Sequence, residues 1–334
     1  MTLCPPAPDV YFSAGFGAAE VAGSSDRWLL LHEFDGAWQL PVKLSQRAET
    51  GTCDASSPYG YSGIYADPEV SARDRDLAWA RAREALLERG VCSVFLRRSP
   101  LVPQAPPPPG AVSVVEGHLT RLMPLGDQET MWAGMEGRCR TSIRKAERLG
   151  LVATLAEATP ADVATGSPFR ALYEATMARK ESRADYVFPD PYYQALVTAP
   201  DLGLTVGQVR DEAGEVQAAA LFLRHGPRLH YHLSGATESG RASGATNQLV
   251  WEAARQAATG GVQVLHLGGG LVNGDSLYKF KRSFGGQDLT YSAVGVVLDK
   301  ARYDAAVVLR AEQLGRRVEE IRASRVFPAY RSEA

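Results

Sequence analysis

The 334 residues predict an α+β fold in two lobes, and three observations carry that prediction. At ~150 residues per domain, the length is about two domains' worth of chain. After Gly150, helical and strand patterns alternate regularly, as they do where helices flank a sheet. The first half also runs strands, a helix and strands, so two lobes of similar architecture follow one another. A hydrophobic content of 45% and a charged content of 22% suit a globular chain. They exclude a largely disordered protein, a collagen-like repeat and a disulfide-dense miniprotein.

In chain order, Arg73–Arg89 reads as a helix and Val91–Leu96 as a strand. The proline-rich run 99–110 is an extended surface loop, because proline fixes φ and lacks an N–H. A strand follows at Ala111–Val115. Trp132–Leu149 reads as one strongly basic helix stopped by Gly150. Arg140, Arg144 and Arg148 recur at i, i+4 within it and share a face. The lobe boundary is therefore placed near residue 150, giving lobes at 1–150 and 151–299. Strand 151–155 opens the second lobe, followed by helices at Pro168–Arg183 and Pro191–Ala199. Strands Thr205–Val209 and Val216–Leu223 are joined by the turn string Asp211–Gly214. Leu229–Leu233 is a third strand, Asn247–Thr259 a helix, Val262–Leu267 a fourth strand and Ser292–Val297 a fifth. Arg302–Ala323 closes the chain as one long helix, with Ala305, Val308, Leu309, Leu314, Val318 and Ile321 as its apolar positions.

Lys+Arg 36 against Asp+Glu 38 gives a net charge of −2, so any nucleic-acid contact must use a local basic patch. Cys4, Cys53, Cys92 and Cys139 are scattered without metal-ligand spacing and read as inert, reduced thiols. No apolar run approaches the ~18 residues needed to cross a bilayer. Residues 1–6 show no basic region leading into an apolar core. A soluble, cytoplasmic protein without a metal is expected.

The chemistry concentrates in one window. Leu265–Gly270 is a strand running into three glycines, which let backbone turn sharply and present N–H groups. Asp275–Gly286 then crowds Lys279, Lys281 and Arg282 together. Such cations suit an anionic ligand or a developing oxyanion, or else a solvated surface turn. The string Asp275-Ser276-Leu277-Tyr278-x-Phe280-Lys281-x-x-Phe284 resembles the C-terminal signature of the Fem family, peptidyltransferases that add amino acids from aminoacyl-tRNA to peptidoglycan precursors. Arg140-Thr-Ser-Ile-Arg144-Lys145-Ala146-x-x-x-Gly150 is similar to that family's basic helix. Phe188-Pro189-x-x-Tyr192-Tyr193, Tyr231-x-x-x-Gly235 and Ser57-Pro58-Tyr59-Gly60-Tyr61 fall in family-like order.

The resemblance implies two tandem lobes of the Gcn5-related N-acetyltransferase (GNAT) fold, each a mixed sheet flanked by helices. It implies no coiled-coil insertion, and a helix at 300–325 returning to the first lobe. It implies transfer of an aminoacyl group from tRNA to the amine of a small peptide or peptidyl conjugate. Lys281 would be the catalytic cation, with substrate contacts from Tyr192, Tyr231, Gly269, Tyr278, Phe280 and Arg282. Arg140, Arg144, Lys145 and Arg148 would meet the tRNA backbone. Aminoacyl-tRNA is then a co-substrate; no other cofactor, no DNA and a monomeric chain are expected. Phe188 stands where wall-precursor enzymes of the family carry an arginine for a diphosphate, and Asp9–Glu20 holds no counterpart of a lysine they carry. That departure favours peptide or uridyl-peptide antibiotic assembly over a peptidoglycan acceptor.

Other strings leave alternatives. Arg241-Ala-Ser-Gly244-Ala-Thr246 before a helix partly imitates the phosphate loop of acyl-CoA-dependent relatives, so an acyl-CoA N-acyltransferase is the alternative. Along His230-Tyr231-His232, either the tyrosine or the two histidines can face a cleft. His266 reads as a core residue, and Glu238 and Asp275 are possible proton relays. The basic face of residues 140–148 is alternatively a solvated helix surface, and a catalytically silent pair of lobes is the reading from outside enzymology.

Overall fold

The computed structural model describes residues 5–179, 187–270, 272–324 and 326–333. Cys4 and the end of the helix expected over 168–183 lie outside them. The chain forms two compact units, one taking residues up to His118 and from Tyr291 onward, the other Leu119–Thr290.

The first unit opens with helix α1 (Ala14–Val21), capped by Ser13, whose hydroxyl accepts from the Phe16 N–H. Strands β1 (Arg27–Glu33), β2 (Trp38–Arg47), β3 (Thr52–Ser56) and β4 (Tyr65–Ala66) follow. Helix α2 (Ala72–Glu88) starts at a Ser71 cap and buries Ala78, Ala82 and Leu86 on one i, i+4 stripe. It leads into β5 (Val91–Arg98), and β6 (Val112–Pro124) carries the chain into the second unit.

There the expected basic helix is two helices, α3 (Gln128–Gly134) and α4 (Gly137–Arg148), because Met135 and Glu136 are extended. Next come β7 (Val152–Glu157), α5 (Pro168–Arg179), α6 (Asp190–Thr198), β8 (Gly203–Arg210), β9 (Val216–His225) and β10 (Arg228–Ala236). Then follow α7 (Glu238–Ser243), α8 (Ala245–Thr259), β11 (Val264–Gly269) and α9 (Ser276–Arg282). Strand order is β6-β11-β10-β9-β8-β7, antiparallel except for the parallel pair β10/β11. Helices α4 and α8 cover one face of this sheet through Cys139, Ile143, Leu249, Val250 and Phe222. Helix α5 lies against β9 and β10. Because α4 packs on α8, residues 119–150 belong to the second unit, and the boundary expected near residue 150 is corrected to 118/119.

β12 (Gln287–Val297) returns to the first unit, where Ser292 faces Arg98 across an antiparallel pair with β5. The strand expected at 292–297 therefore leaves the second lobe, in which it was placed. The first unit's sheet runs β1-β2-β3-β5-β12, with β3 and β5 parallel. The closing helix is also two, α10 (Lys300–Leu314) and α11 (Val318–Arg322), broken at Gly315 in the left-handed region (φ 61°). Its buried stripe is Tyr303, Ala306, Val307 and Ala311, whereas Val308 and Leu309 face outward. The expected apolar face is rotated because Cys92, Ile321 and Tyr330 supply the partner surface. Cys53, Cys92 and Cys139 are buried and free, and burial raises each thiol. Among the described residues, no helix is long and apolar enough to cross a membrane.

Candidate active site

Strands β10 and β11 are bonded only over residues 228–230 and 264–266; beyond His230 and His266 they part. Two bulges enforce the parting. One falls between Tyr231 and Leu233 against β9, the other between His266 and Gly268 against β6, where Gly268 takes φ 70°. The chain then doubles back past Gly270, where a Cβ would lie 2.3 Å from Asp275 Oδ1, so only glycine lets the carboxylate approach. Asp275 caps α9 by accepting from the Tyr278 N–H at 2.6 Å. One turn later Lys281, 8% exposed, donates Nζ–H to the carbonyl of Gly269 at 2.6 Å. The ammonium is thus fixed at the glycine end of β11, beside the gap between the strands. Gly269 serves through its carbonyl.

A network through Tyr278, which is buried with Lys281, holds that helix. The Tyr278 hydroxyl donates to Asp288 Oδ2 at 2.8 Å, and Arg121 donates to Asp288 Oδ1 at 2.8 Å. The same guanidinium donates to the carbonyls of Gly285 and Gly286. Burial and the Asp288 bond raise the Tyr278 phenol; burial also acts on Asp288, but the bonds from Tyr278 and Arg121 outweigh it and lower that carboxyl. Tyr278 is buried and pinned, so it positions α9 instead of offering its hydroxyl to a ligand. Phe280 packs edge-on to the buried Phe284, 5.2 Å between centroids. Arg282 is half exposed and pairs with Glu136 at 3.0 Å. Arg121, Asp288 and Glu136 escaped sequence reasoning, because Arg121 stands far along the chain from its partners and no local spacing links them.

On β10 it is the histidines that share a side with Tyr192. The Tyr192 hydroxyl lies 2.7 Å from His232 Nε2, and its ring stacks on Phe188 at 4.1 Å. Burial pushes the His232 pKa down to about 3, with His230 contributing, so the imidazole is neutral. Tyr192 is only 2% exposed and closes this layer as a core aromatic. Tyr231 points to the opposite side, 5.5 Å from Phe222 in the α8-side core, where burial pushes its phenol up to about 12. Of the two faces open to this strand, the histidines take the one toward Tyr192, and Tyr231, expected as a substrate contact, takes the other, since side chains alternate along a strand. His230 and His266 are buried edge-to-face at 5.6 Å. Glu238 is exposed in the first turn of α7, and Asp275 is spent as a cap.

The basic helix divides its charges. Arg140 turns back to the carbonyls of Trp132, Ala133 and Met135, closing α3, and so is not an open phosphate contact. Arg144 lies over the Trp132 ring at 5.3 Å. Arg144 and Arg148 are exposed and line a shallow depression with Thr141 and Glu147. Lys145 donates to the Ala242 carbonyl at 2.9 Å. The segment likened to a CoA phosphate loop is helix α7 ending at Gly244 (φ 86°), where a Cβ would lie 2.3 Å from the Ser142 carbonyl oxygen. Helix α4 therefore presses on the start of α8. Among the described residues, no three His, Cys, Asp or Glu side chains group as a metal site.

A mixed sheet whose parallel central strands splay, backed by helices on its faces, defines a GNAT-type fold. Residues 135–282 match the family model described as "Acetyltransferase (GNAT) domain". Within that class the architecture is Fem-like. The chain is similar to FemX at 12% identity and a TM-score of 0.67, covering 88% of this chain and 94% of that one. It is also similar to L-PGS from Bacillus licheniformis (11% identity, TM-score 0.53, 95% and 100% covered). A third likeness is to the C-terminal domain of a putative lysylphosphatidylglycerol synthetase from Agrobacterium fabrum (14% identity, TM-score 0.52, 90% and 89% covered). No curated protein matches the chain by sequence.

Proposed function

We propose that the chain is an aminoacyltransferase that moves an amino acid from aminoacyl-tRNA to the amine of a small peptide or peptidyl conjugate. The observation that carries this reading is the Lys281 ammonium, nearly buried and seated on the Gly269 carbonyl beside the strand gap. The acceptor amine attacks the ester carbonyl joining the amino acid to the terminal ribose. Negative charge then grows on the carbonyl oxygen, an N–C bond forms, and the ribose oxygen leaves with a proton. Lys281 is the catalytic residue that meets this charge. One preorganised donor of this kind is worth about 3–4 kcal/mol, and an ester needs no further activation. Arg144 and Arg148 offer the tRNA an exposed basic face, and the reaction places the protein in the cytoplasm.

The acceptor is proposed from Phe188. It lies flat on Tyr192, next to a neutral histidine. Such an uncharged shelf cannot neutralise a diphosphate, which favours a peptide of antibiotic assembly over a nucleotide-linked wall precursor. The GNAT domain match keeps acyl-CoA as a second donor, but α4 against Gly244 crowds the helix start that would receive its pyrophosphate. Incubation with a pool of charged tRNAs and peptide amines, with and without ribonuclease, separates the two. Transfer that survives ribonuclease and requires acyl-CoA overturns the reading.

A further inference from the structure

On the exposed face of α9, the helix that carries the buried Lys281, lies a cluster of positive charge distinct from the outer row of α4. Glu136, in the extended step between α3 and α4, is its hub. One carboxylate oxygen accepts from Arg138 Nε at 2.7 Å, the other from Arg282 Nε at 3.0 Å. Arg138 also donates through Nη2 to the Lys279 carbonyl at 2.7 Å, tying the start of α4 to α9. Lys279 and Arg282 flank Lys281 in sequence on α9. The Arg138 and Arg282 side chains are 53% and 49% exposed, and Lys279 is exposed as well. Two arginines share one carboxylate and Lys279 stands on the same helix as Arg282, so these four side chains leave a local excess of two positive charges on a chain whose net charge is −2.

The bonds to Glu136 use the inner Nε–H of each arginine. That orients the guanidinium planes and leaves N–H donors for a ligand. A planar fork held in place suits phosphate oxygens, which it can bind through two donors at once.

We propose that Arg138, Lys279 and Arg282 form a phosphate-binding surface for the single-stranded 3′ end of the donor RNA. This rests on the aminoacyl-tRNA reading, in which the ester must reach Lys281. The last phosphodiesters then pass over the exposed face of the helix that carries that lysine, whereas Arg144 and Arg148 sit nearly two and nearly three turns further along α4 and meet the paired stem.

Two RNA hairpins test this, one with an unpaired 3′-ACCA tail and one with a blunt end. The variant Arg138→Gln/Lys279→Gln/Arg282→Gln should lose at least about tenfold in affinity for the tailed hairpin at low salt. Its log–log salt slope should be shallower by about 2, since each single-strand phosphate contact contributes ~0.7. Affinity for the blunt hairpin should stay within about twofold of wild type. Glu136→Gln removes the tie between the helices but keeps all three cations, so it should bind the tailed hairpin at least as tightly as wild type. Unchanged binding and slope in the triple variant overturn the surface, as does an equal loss for both hairpins. A tailed-hairpin loss in Glu136→Gln as large as in the triple variant assigns the effect to helix placement and likewise overturns it. If wild type binds neither hairpin, the aminoacyl-tRNA reading itself fails; if it binds and the variants match it, only this surface does.

Discussion

In the proposed reaction Lys281 carries the catalytic charge, so its substitution is informative. Lys281→Met keeps the length and packing of the chain while removing the charge. Aminoacyl transfer should fall by ~10²–10³, with far-UV circular dichroism unchanged. His232 makes a different prediction. Its pKa is about 3 in the folded protein against an ordinary value of 6.5. Above pH 6.5 both folded and unfolded states carry a neutral ring, and its contribution to stability is intact. Below that, the unfolded chain takes up a proton that the folded site refuses, so stability falls by up to about 1.4 kcal/mol per pH unit between pH 6.5 and 3. Urea midpoints measured across that range should show this slope, and His232→Asn should flatten it. The segment that carries Lys281 was legible in the sequence because its motif is local, from the Asp275 cap to Phe284. The Tyr192–His232 bond was not, because only the strand pairing decides which of His230, Tyr231 and His232 faces that ring.

At the scale of elements, two glycines with positive φ separate strain from crowding. Gly315 (φ 61°) ends α10 with nothing within 4 Å of an added Cβ, so Gly315→Ala should cost only about 1 kcal/mol, the price of the left-handed backbone. Gly244 (φ 86°) adds a Cβ 2.3 Å from the backbone oxygen of Ser142, which cannot rotate away. Gly244→Ala should cost ~3 kcal/mol or more, and comparison of the two by urea unfolding checks the ranking. Element type was mostly legible: the strands after residue 200 and the helices at 72–88 and 245–259 follow their hydrophobic period and their turn strings. The breaks in the two long helices were not. The α3/α4 step depends on the Arg140 guanidinium closing α3 and on Gly285 approaching the Gly134 carbonyl, contacts that a helical period does not contain.

For the molecule as a whole, the second passage through the first unit governs stability. Tyr330 is buried, with its hydroxyl 2.8 Å from Ser93 Oγ, and Arg331 grips the buried Asp54 through two bonds of 2.9 and 2.8 Å. Removing residues 326–334 deletes a core aromatic and leaves the buried Asp54 the longer 3.5 Å contact from Arg47 in place of two short bonds. It should destabilise the first unit by ~3–5 kcal/mol and expose it to limited proteolysis before residues 119–290. This division of the chain could not be read from composition, because β12 changes units partway along its length and no linker marks the passage.

The parting of β10 from β11 also shapes how fast the backbone trades its hydrogens with solvent. Amides at Leu229, His230 and Leu265 lie where both neighbouring strands are in register, and they should be among the slowest to take up deuterium. Past His230 and His266 each strand keeps only its outer neighbour. Amides pointing inward there should exchange orders of magnitude sooner, and a ligand lodged between the strands would slow that inner set while leaving the outer one as it was.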